Sequence, residues 1–214
     1  MKKVLVTIRL LKSNEERISK LWSAKLNLNN ETYSGKQLIE LSQDCDGVLS
    51  SILDKIDEEI INKFSNKVKI ISNFAVGFGN IDIEAARKRN IIVTNTPDVL
   101  TEATAEITML LILGASRRVT EGIKWARNKN WKWSADFLIG KQLSGSRLGI
   151  LGLGRIGRAV AKRAKSFGME IHYHNRSKLS SDLEDGAIYH KDIKSLFEKS
   201  EFFHEIVRTP PEIQ

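Results

Sequence analysis

Arg147–Gly168 reads RLGILGLGRIGRAVAKRAKSFG. Leu148, Ile150 and Leu151 form a short apolar run, the pattern of a buried parallel strand, and the chain passes directly from it into Gly152-Leu153-Gly154-Arg155-Ile156-Gly157. A helix follows, with Ile156, Val160, Ala164 and Phe167 on one face. Gly168 is placed to stop that helix, because a residue without Cβ tolerates the left-handed conformation there. The turn glycines have separate tasks. Gly152 permits the tight turn, Gly154 lets the backbone approach a pyrophosphate, and Gly157 lets helix and strand pack closely. Backbone N–H groups and the positive end of the helix dipole then face the phosphates. The glycine spacing alone is weak evidence. Strand, glycines and helix in register predict a dinucleotide site, with Gly152, Gly154, Arg155, Ile156 and Gly157 against the ligand.

The next strand, Glu170–His174, ends roughly 20 residues beyond the motif, where the residue that reads the adenosine ribose belongs. An Asp or Glu there would accept hydrogen bonds from both ribose hydroxyls of NAD. This chain has Asn175-Arg176-Ser177, followed by Lys178. A carboxylate would repel a 2′-phosphate, whereas a guanidinium grips one through two parallel hydrogen bonds. The expected cofactor is therefore NADP(H) in preference to NAD(H). Without regard to position, Arg176 and Lys178 would be ordinary solvated loop charges; their place relative to the glycines gives them a role.

At 214 residues, 41% of them hydrophobic, the chain can bury a core in one large or two small domains. No apolar run reaches the length of a membrane span, and Met1-Lys2-Lys3 leads into a strand rather than a signal peptide. Cys45 is the single cysteine, which excludes an intramolecular disulfide and points to a cytoplasmic protein. The net charge of +8 is unevenly divided: residues 1–98 carry 15 Lys/Arg against 13 Asp/Glu, and residues 99–214 carry 19 against 13. The basic excess thus accompanies the phosphate motif, as suits a polyanionic ligand. Its scatter, without a stripe of arginines and aromatics, argues against nucleic acid. No metal ligands are assigned.

Residues 1–98 alternate strand and helix. Strands are expected at Val4–Ile8, Gly47–Leu49, Val68–Ile71 and Ile91–Thr94. The first helix opens on a capping box of Ser13 and Glu16 and turns Ile18, Leu21 and Trp22 inward; the second opens on Ser34 and Gln37. Asp57 starts a third, with Ile60, Ile61 and Phe64 inward, and Asp82 a short fourth that Asn90 ends. This alternation implies a parallel sheet with helices on both faces and ligands beyond the carboxyl ends of the strands. At one such end lies Asn73-Phe74-Ala75-Val76-Gly77-Phe78-Gly79-Asn80. Its N–H groups could form a nest for a carboxylate; taken alone, a plain chain-reversing turn is the simpler account.

Thr96-Pro97-Asp98 breaks the pattern as a hinge. A long helix capped by Thr101 follows, apolar nearly all round and hence expected to be buried between domains. Trp125, Trp131 and Trp133 then suggest a self-association surface or lid, or packing under a loop. Asp192 starts a short helix with Ile193, Leu196 and Phe197, and Glu201-Phe202-Phe203 opens a further strand, so only the first half of a six-stranded nucleotide fold is evident.

Together these residues resemble the D-isomer-specific 2-hydroxyacid dehydrogenase family, most closely its glyoxylate/hydroxypyruvate reductase branch. The resemblance is carried by VGFGNIDIEAARKRNIIVTNTPDVLTEATAEITMLLIL (Val76–Leu113) and GKQLSGSRLGILGLGRIGRAVAKRAKSFGM (Gly140–Met169). Val4–Arg9, Leu53–Asp57 and the Asn175-Arg176-Ser177 turn share it. It implies an α/β architecture, with a flavodoxin-like substrate domain in residues 1–98 and an incomplete doubly wound Rossmann NAD(P)-binding domain in residues 99–214. It further implies that the N–H groups of Val76 and Gly77 hold the carboxylate of a small 2-oxo acid, that Leu53 sits over it, that Thr101 lies near the nicotinamide, and that residues after Arg118 help form a homodimer. Hydride reaches the C2 carbonyl and gives the D-2-hydroxy acid. The family's catalytic Arg, Glu and His all fall beyond Gln214. His172, His174, His190 and His204 are read as structural or surface histidines without an acidic partner. The run from His204 to Glu212 departs from the family's small residue, His and Pro. The resemblance thus implies a C-terminally truncated, inactive member; a non-enzymatic nucleotide-binding regulatory protein and a decayed fragment are the alternatives.

Overall fold

The computed structural model describes residues 1–128 and 132–206. The chain divides between Val99 and Leu100 into two compact units, each with its own sheet and its own apolar core.

The first unit runs β1 (Lys3–Val6), α1 (Lys12–Leu21), β2 (Ser23–Leu26), α2 (Gly35–Ser42), β3 (Gly47–Ser51), α3 (Glu58–Lys63), β4 (Ile70–Phe74), α4 (Ile83–Lys88) and β5 (Ile92–Thr94). Its strands are all parallel, in the order β2-β1-β3-β4-β5. That is the flavodoxin-like order expected of the substrate domain. Leu5, Val48 and Ile71 from the strands meet Leu38, Ile60, Ile61, Ala85 and Ala86 from the helices, and Phe64 at the end of α3, in one core. The Ser34 capping box forms, with the Gln37 N–H donating to Ser34 Oγ and the Ser34 N–H to Gln37 Oε1. Asp57 and Asp82 cap α3 and α4 as expected.

The start of α1 differs. Leu11 is its N-cap and Ser13 lies inside the helix, without a capping bond. Leu21 and Trp22 are exposed, and the buried residue of α1 is Glu15. The Glu15 carboxylate accepts the N–H of Leu10 (3.1 Å) and pairs with Arg9 (3.1 Å), so chain entry rather than an apolar face decides the helix's orientation. Strand β2 has no counterpart in the sequence reading, because Ser23-Ala24-Lys25-Leu26 carries no β-branched residue and lies at the sheet edge.

The second unit contains α5 (Thr101–Ser116), α6 (Val119–Arg127), β6 (Arg147–Leu151), α7 (Arg155–Ser166), β7 (Glu170–His174), α8 (Ser181–Glu184), β8 (Ile188–Tyr189), α9 (Ile193–Lys199) and β9 (Phe202–Glu205). Its strands are parallel in the order β8-β7-β6-β9. Numbered from β6 this is 3-2-1-4, the first three strands of a Rossmann sheet plus the one that crosses the switch point. Ala105, Met109 and Ile112 of α5 share a core with Leu148, Ile150, Val160 and Ala164. Helix α5 is not buried all round, since Ile107, Leu110 and Leu111 are exposed. Thr101 is its first residue and makes no capping bond; Leu100 is the N-cap. Phe167 is also exposed, because α7 ends at Ser166 and Phe167 falls on the C-cap, ahead of Gly168 at φ +74°. Trp125 packs edge-on against Phe137 (5.7 Å) while Trp133 is 74% exposed; Trp131 lies outside the described residues. Among the described residues no helix is long and apolar enough to cross a membrane.

Candidate functional site

Strand β6 ends where the backbone turns through Gly152 at φ +100°. The Gly152 N–H donates to the His174 carbonyl (3.0 Å) and the Leu153 N–H to Asn175 Oδ1 (2.7 Å), which ties the turn to the end of β7. Leu153 is buried, and it anchors the turn in the core. Gly154 is the N-cap of α7 and offers no side-chain cap, so among the described residues the N–H groups of Ile156 and Gly157 have no side-chain acceptor. A Cβ on Gly154 would meet no atom within 4 Å, whereas one on Gly157 would collide with the Gly152 carbonyl. The turn therefore has open space on its outer side and none on its inner side. That is the shape a pyrophosphate seat requires, and the residues fit a dinucleotide.

Beyond β7, Arg176 and Ser177 are exposed, and no ion pair engages the Arg176 guanidinium among the described residues. Lys178 is 3.8 Å from Glu184. Glu184 also accepts the Tyr173 hydroxyl (2.5 Å), and burial with that hydrogen bond pushes the phenol up to about 12. The Tyr173 oxygen accepts the Leu179 N–H in turn (3.1 Å), so this buried phenol braces the segment after Arg176.

In the first unit, the segment after β4 has its carbonyls tied back one after another. The Ala75 carbonyl accepts the Thr96 N–H (2.9 Å), the Val76 carbonyl Asn95 Nδ2 (2.8 Å) and the Gly77 carbonyl Asn73 Nδ2 (2.9 Å). With its carbonyls tied back, the half-buried Val76–Gly77 backbone has N–H groups in an arrangement that suits an anion. Leu53 is 66% exposed, on the turn after β3. That turn is pinned by Asp54, a buried carboxylate that accepts the Ser51 N–H (2.7 Å) and the hydroxyls of Ser51 and Thr7. Asn80 Nδ2 donates to the Ser51 and Asp54 carbonyls (2.9 and 3.0 Å) and its Oδ1 accepts Asn73 Nδ2 (3.1 Å). Thr7, Ser51, Asp54, Asn73 and Asn80 were given no role of their own in the sequence reading. Polar residues closing otherwise apolar strands, as in Ser50-Ser51 and Ser72-Asn73, are the signal that could have found them.

The histidines depart from expectation in two places. His172 does have an acidic partner: its Nε2 donates to Glu170 Oε1 (2.6 Å), two residues earlier on the same face of β7. Its Nδ1 lies 2.8 Å from His190 Nε2, and His190 Nδ1 lies 2.7 Å from the Ser195 hydroxyl, each within hydrogen-bond reach. Burial and the neighbouring His172 ring hold His190 below the ordinary histidine range. His204 Nε2 is buried and, among the described residues, has no partner, so it is not a satisfied structural histidine; burial lowers its pKa as well. His174 Nδ1 donates to the His190 carbonyl (2.8 Å). Among the described residues no group of three or more His, Cys, Asp or Glu side chains could hold a metal ion.

A family model, D-isomer specific 2-hydroxyacid dehydrogenase, catalytic domain, matches residues 4–207. The chain belongs to this family. Among curated relatives it is 38% identical over 205 residues to a glyoxylate reductase of Thermococcus litoralis, covering 94% of this chain and 62% of that protein. It is 36% identical over 214 residues to a glycerate dehydrogenase of Hyphomicrobium methylovorum, covering 99% and 66%. The crystal structure of a glyoxylate reductase from Paecilomyes thermophila superposes with a TM-score of 0.82 at 31% identity, over 97% of this chain and 65% of that one. The chain thus spans about three fifths of the first of these 2-hydroxyacid dehydrogenases and somewhat more of the others.

Proposed function

We propose that this chain is the binding framework of a reductase that converts a small 2-oxo acid, glyoxylate or hydroxypyruvate, to the D-2-hydroxy acid with NADP(H) in preference to NAD(H). The observation that carries the reading is the Ala75–Gly77 segment, whose three successive carbonyls are turned inward by Thr96, Asn95 and Asn73. In this reading residues 1–98 are the substrate domain, the N–H groups of Val76 and Gly77 hold the acid's carboxylate, and Leu53 covers it. Residues 99–214 are the nucleotide domain. Gly152, Gly154, Arg155, Ile156 and Gly157 receive the pyrophosphate, Asn175, Arg176 and Ser177 the adenosine ribose, and Thr101 lies toward the nicotinamide. The chemistry a reduced nicotinamide supplies when bound is hydride transfer. Asn175 orients the turn through the Leu153 N–H, and the exposed Arg176 supports the choice of a 2′-phosphate over a bare hydroxyl. The names of the relatives support the substrate class. A homodimer belongs to the same reading and is supported by the exposed Ile107, Leu110 and Leu111 of α5. A cytoplasmic setting is supported by the buried free thiol of Cys45.

All four histidines lie in the sheet of the nucleotide unit or its connections, and none is assigned the delivery of a proton to substrate. The 214-residue chain alone is therefore proposed to bind without turnover. Tryptophan fluorescence titration should give about tenfold tighter binding of NADPH than of NADH, with no glyoxylate-dependent loss of absorbance at 340 nm. Turnover would refute the inactivity, and absence of binding by either dinucleotide would refute the whole reading. The placement of the histidines also favours a second reading, a nucleotide-binding regulatory protein; a specific protein partner released by Gly154→Asp would support it.

A further inference from the structure

We infer that Asn80 is a positioning residue: its carboxamide sets the spacing between the Leu53 turn and the Val76–Gly77 backbone. The inference rests on the reading that these two segments seat the acid. Both segments lie beyond their strands, since β3 ends at Ser51 and β4 at Phe74. Asn80 links them, directly on one side and through Asn73 on the other. Both Nδ2 protons of Asn80 are committed to the Leu53 side, to the carbonyls of Ser51 (2.9 Å) and Asp54 (3.0 Å). Its Oδ1 is committed to the other side, accepting Asn73 Nδ2 (3.1 Å), the same nitrogen that holds the Gly77 carbonyl (2.9 Å). Asn73 is oriented in turn by Ser50 Oγ, which donates to its Oδ1 (3.0 Å). The backbone beneath is fixed as well: the Ile56 N–H donates to the Asn80 carbonyl (2.8 Å) and the Asp82 N–H to the Ile56 carbonyl (2.9 Å).

Every bond in this clamp has a fixed direction, so an isosteric change is informative. In Asn80→Asp the nitrogen that donates both bonds becomes a carboxylate oxygen facing two carbonyl oxygens. The clamp then repels the Leu53 turn without any change in side-chain size. Asparagine is required for its polarity, not its volume.

The test uses the whole ¹⁵N-labelled chain titrated with glycolate, following the Val76 and Gly77 amide resonances. In the wild type these amides should shift saturably. In Asn80→Asp they should already be displaced in the free protein, and the glycolate dissociation constant should rise about tenfold, with NADPH affinity unchanged. Ile61→Val, which loosens the core of the same unit, separates positioning from stability: it should lower the melting temperature and leave both amides and the glycolate affinity at wild-type values. Should Asn80→Asp fail to fold, Ser50→Ala removes the bond that orients Asn73, and should weaken glycolate about threefold. Wild-type glycolate affinity in Asn80→Asp, or in Ser50→Ala if that variant stands in, overturns the clamp alone. Silent Val76 and Gly77 amides in the wild type overturn the substrate reading, and this inference with it.

Discussion

At the end of β6 the chain shapes its candidate site from backbone, through Gly152, Gly154 and Gly157. At the end of β4 it does so with polar side chains, the buried Ser50, Ser51, Asp54 and Asn73 and the half-buried Asn80, drawn from distant parts of the sequence. The first site depends on atoms that are missing, since Gly157 has no room for a Cβ and Gly154 leaves open space outside. The second depends on atoms that are present, each donor matched to an acceptor. The two should fail in opposite ways, one when atoms are added and the other when they are removed.

Addition at the glycine turn has the largest expected effect. Gly157→Val should destabilise the second unit by about 3 kcal/mol and abolish measurable NADPH binding, because α7 must move off β6; calorimetry and titration would check it, and near-native binding would break the comparison. Deletion at the other site comes next. Asp54→Ala leaves the Ser51 N–H buried without its acceptor and should cost the first unit about 2–3 kcal/mol in urea unfolding, with dinucleotide affinity intact. A surface contact is smaller: Arg176→Ala should weaken NADPH about tenfold, roughly 1.4 kcal/mol, and leave NADH little changed. Ser34→Ala, which removes the capping box of α2, should cost about 1 kcal/mol and touch neither ligand.

The smallest effect expected is on pH. His190 and His204 are both held below the ordinary histidine value of 6.5 in the folded state. The unfolded chain therefore binds more protons in that window. Their contribution is complete above about pH 6.5 and is lost as pH falls below it. Melting of the second unit should decline between pH 6.5 and 5, and His190→Gln should flatten that slope.

What could be read from the sequence follows the same division. Glycine turns and helix caps are local: Gly152, Gly154, Gly157, Ser34, Asp57 and Asp82 declare themselves because the constraint and the residue lie within a few positions of each other. Local motifs can also mislead, as Ser13 and Glu16 do inside a helix that begins at Lys12. The polar support of the Val76–Gly77 segment was not legible. Thr7 meets Asp54 across 47 residues and Asn80 meets Asp54 across 26, and no spacing announces such pairs. The Glu170–His172 pair was legible in principle, because alternate residues of a strand share a face. The two-residue β8 and four-residue α8 are too short for any periodicity.

The row from Ser195 through His190 and His172 to Glu170 has one further consequence. With His172 neutral and its proton on Nε2 toward Glu170, the donors of the row all point the same way, so the bond dipoles add rather than cancel and each link polarises the next. The exposed carboxylate and a hydroxyl on α9 are thereby coupled electrically through the interior. Neutralising Glu170 would be felt at Ser195 even with every atom between them at rest.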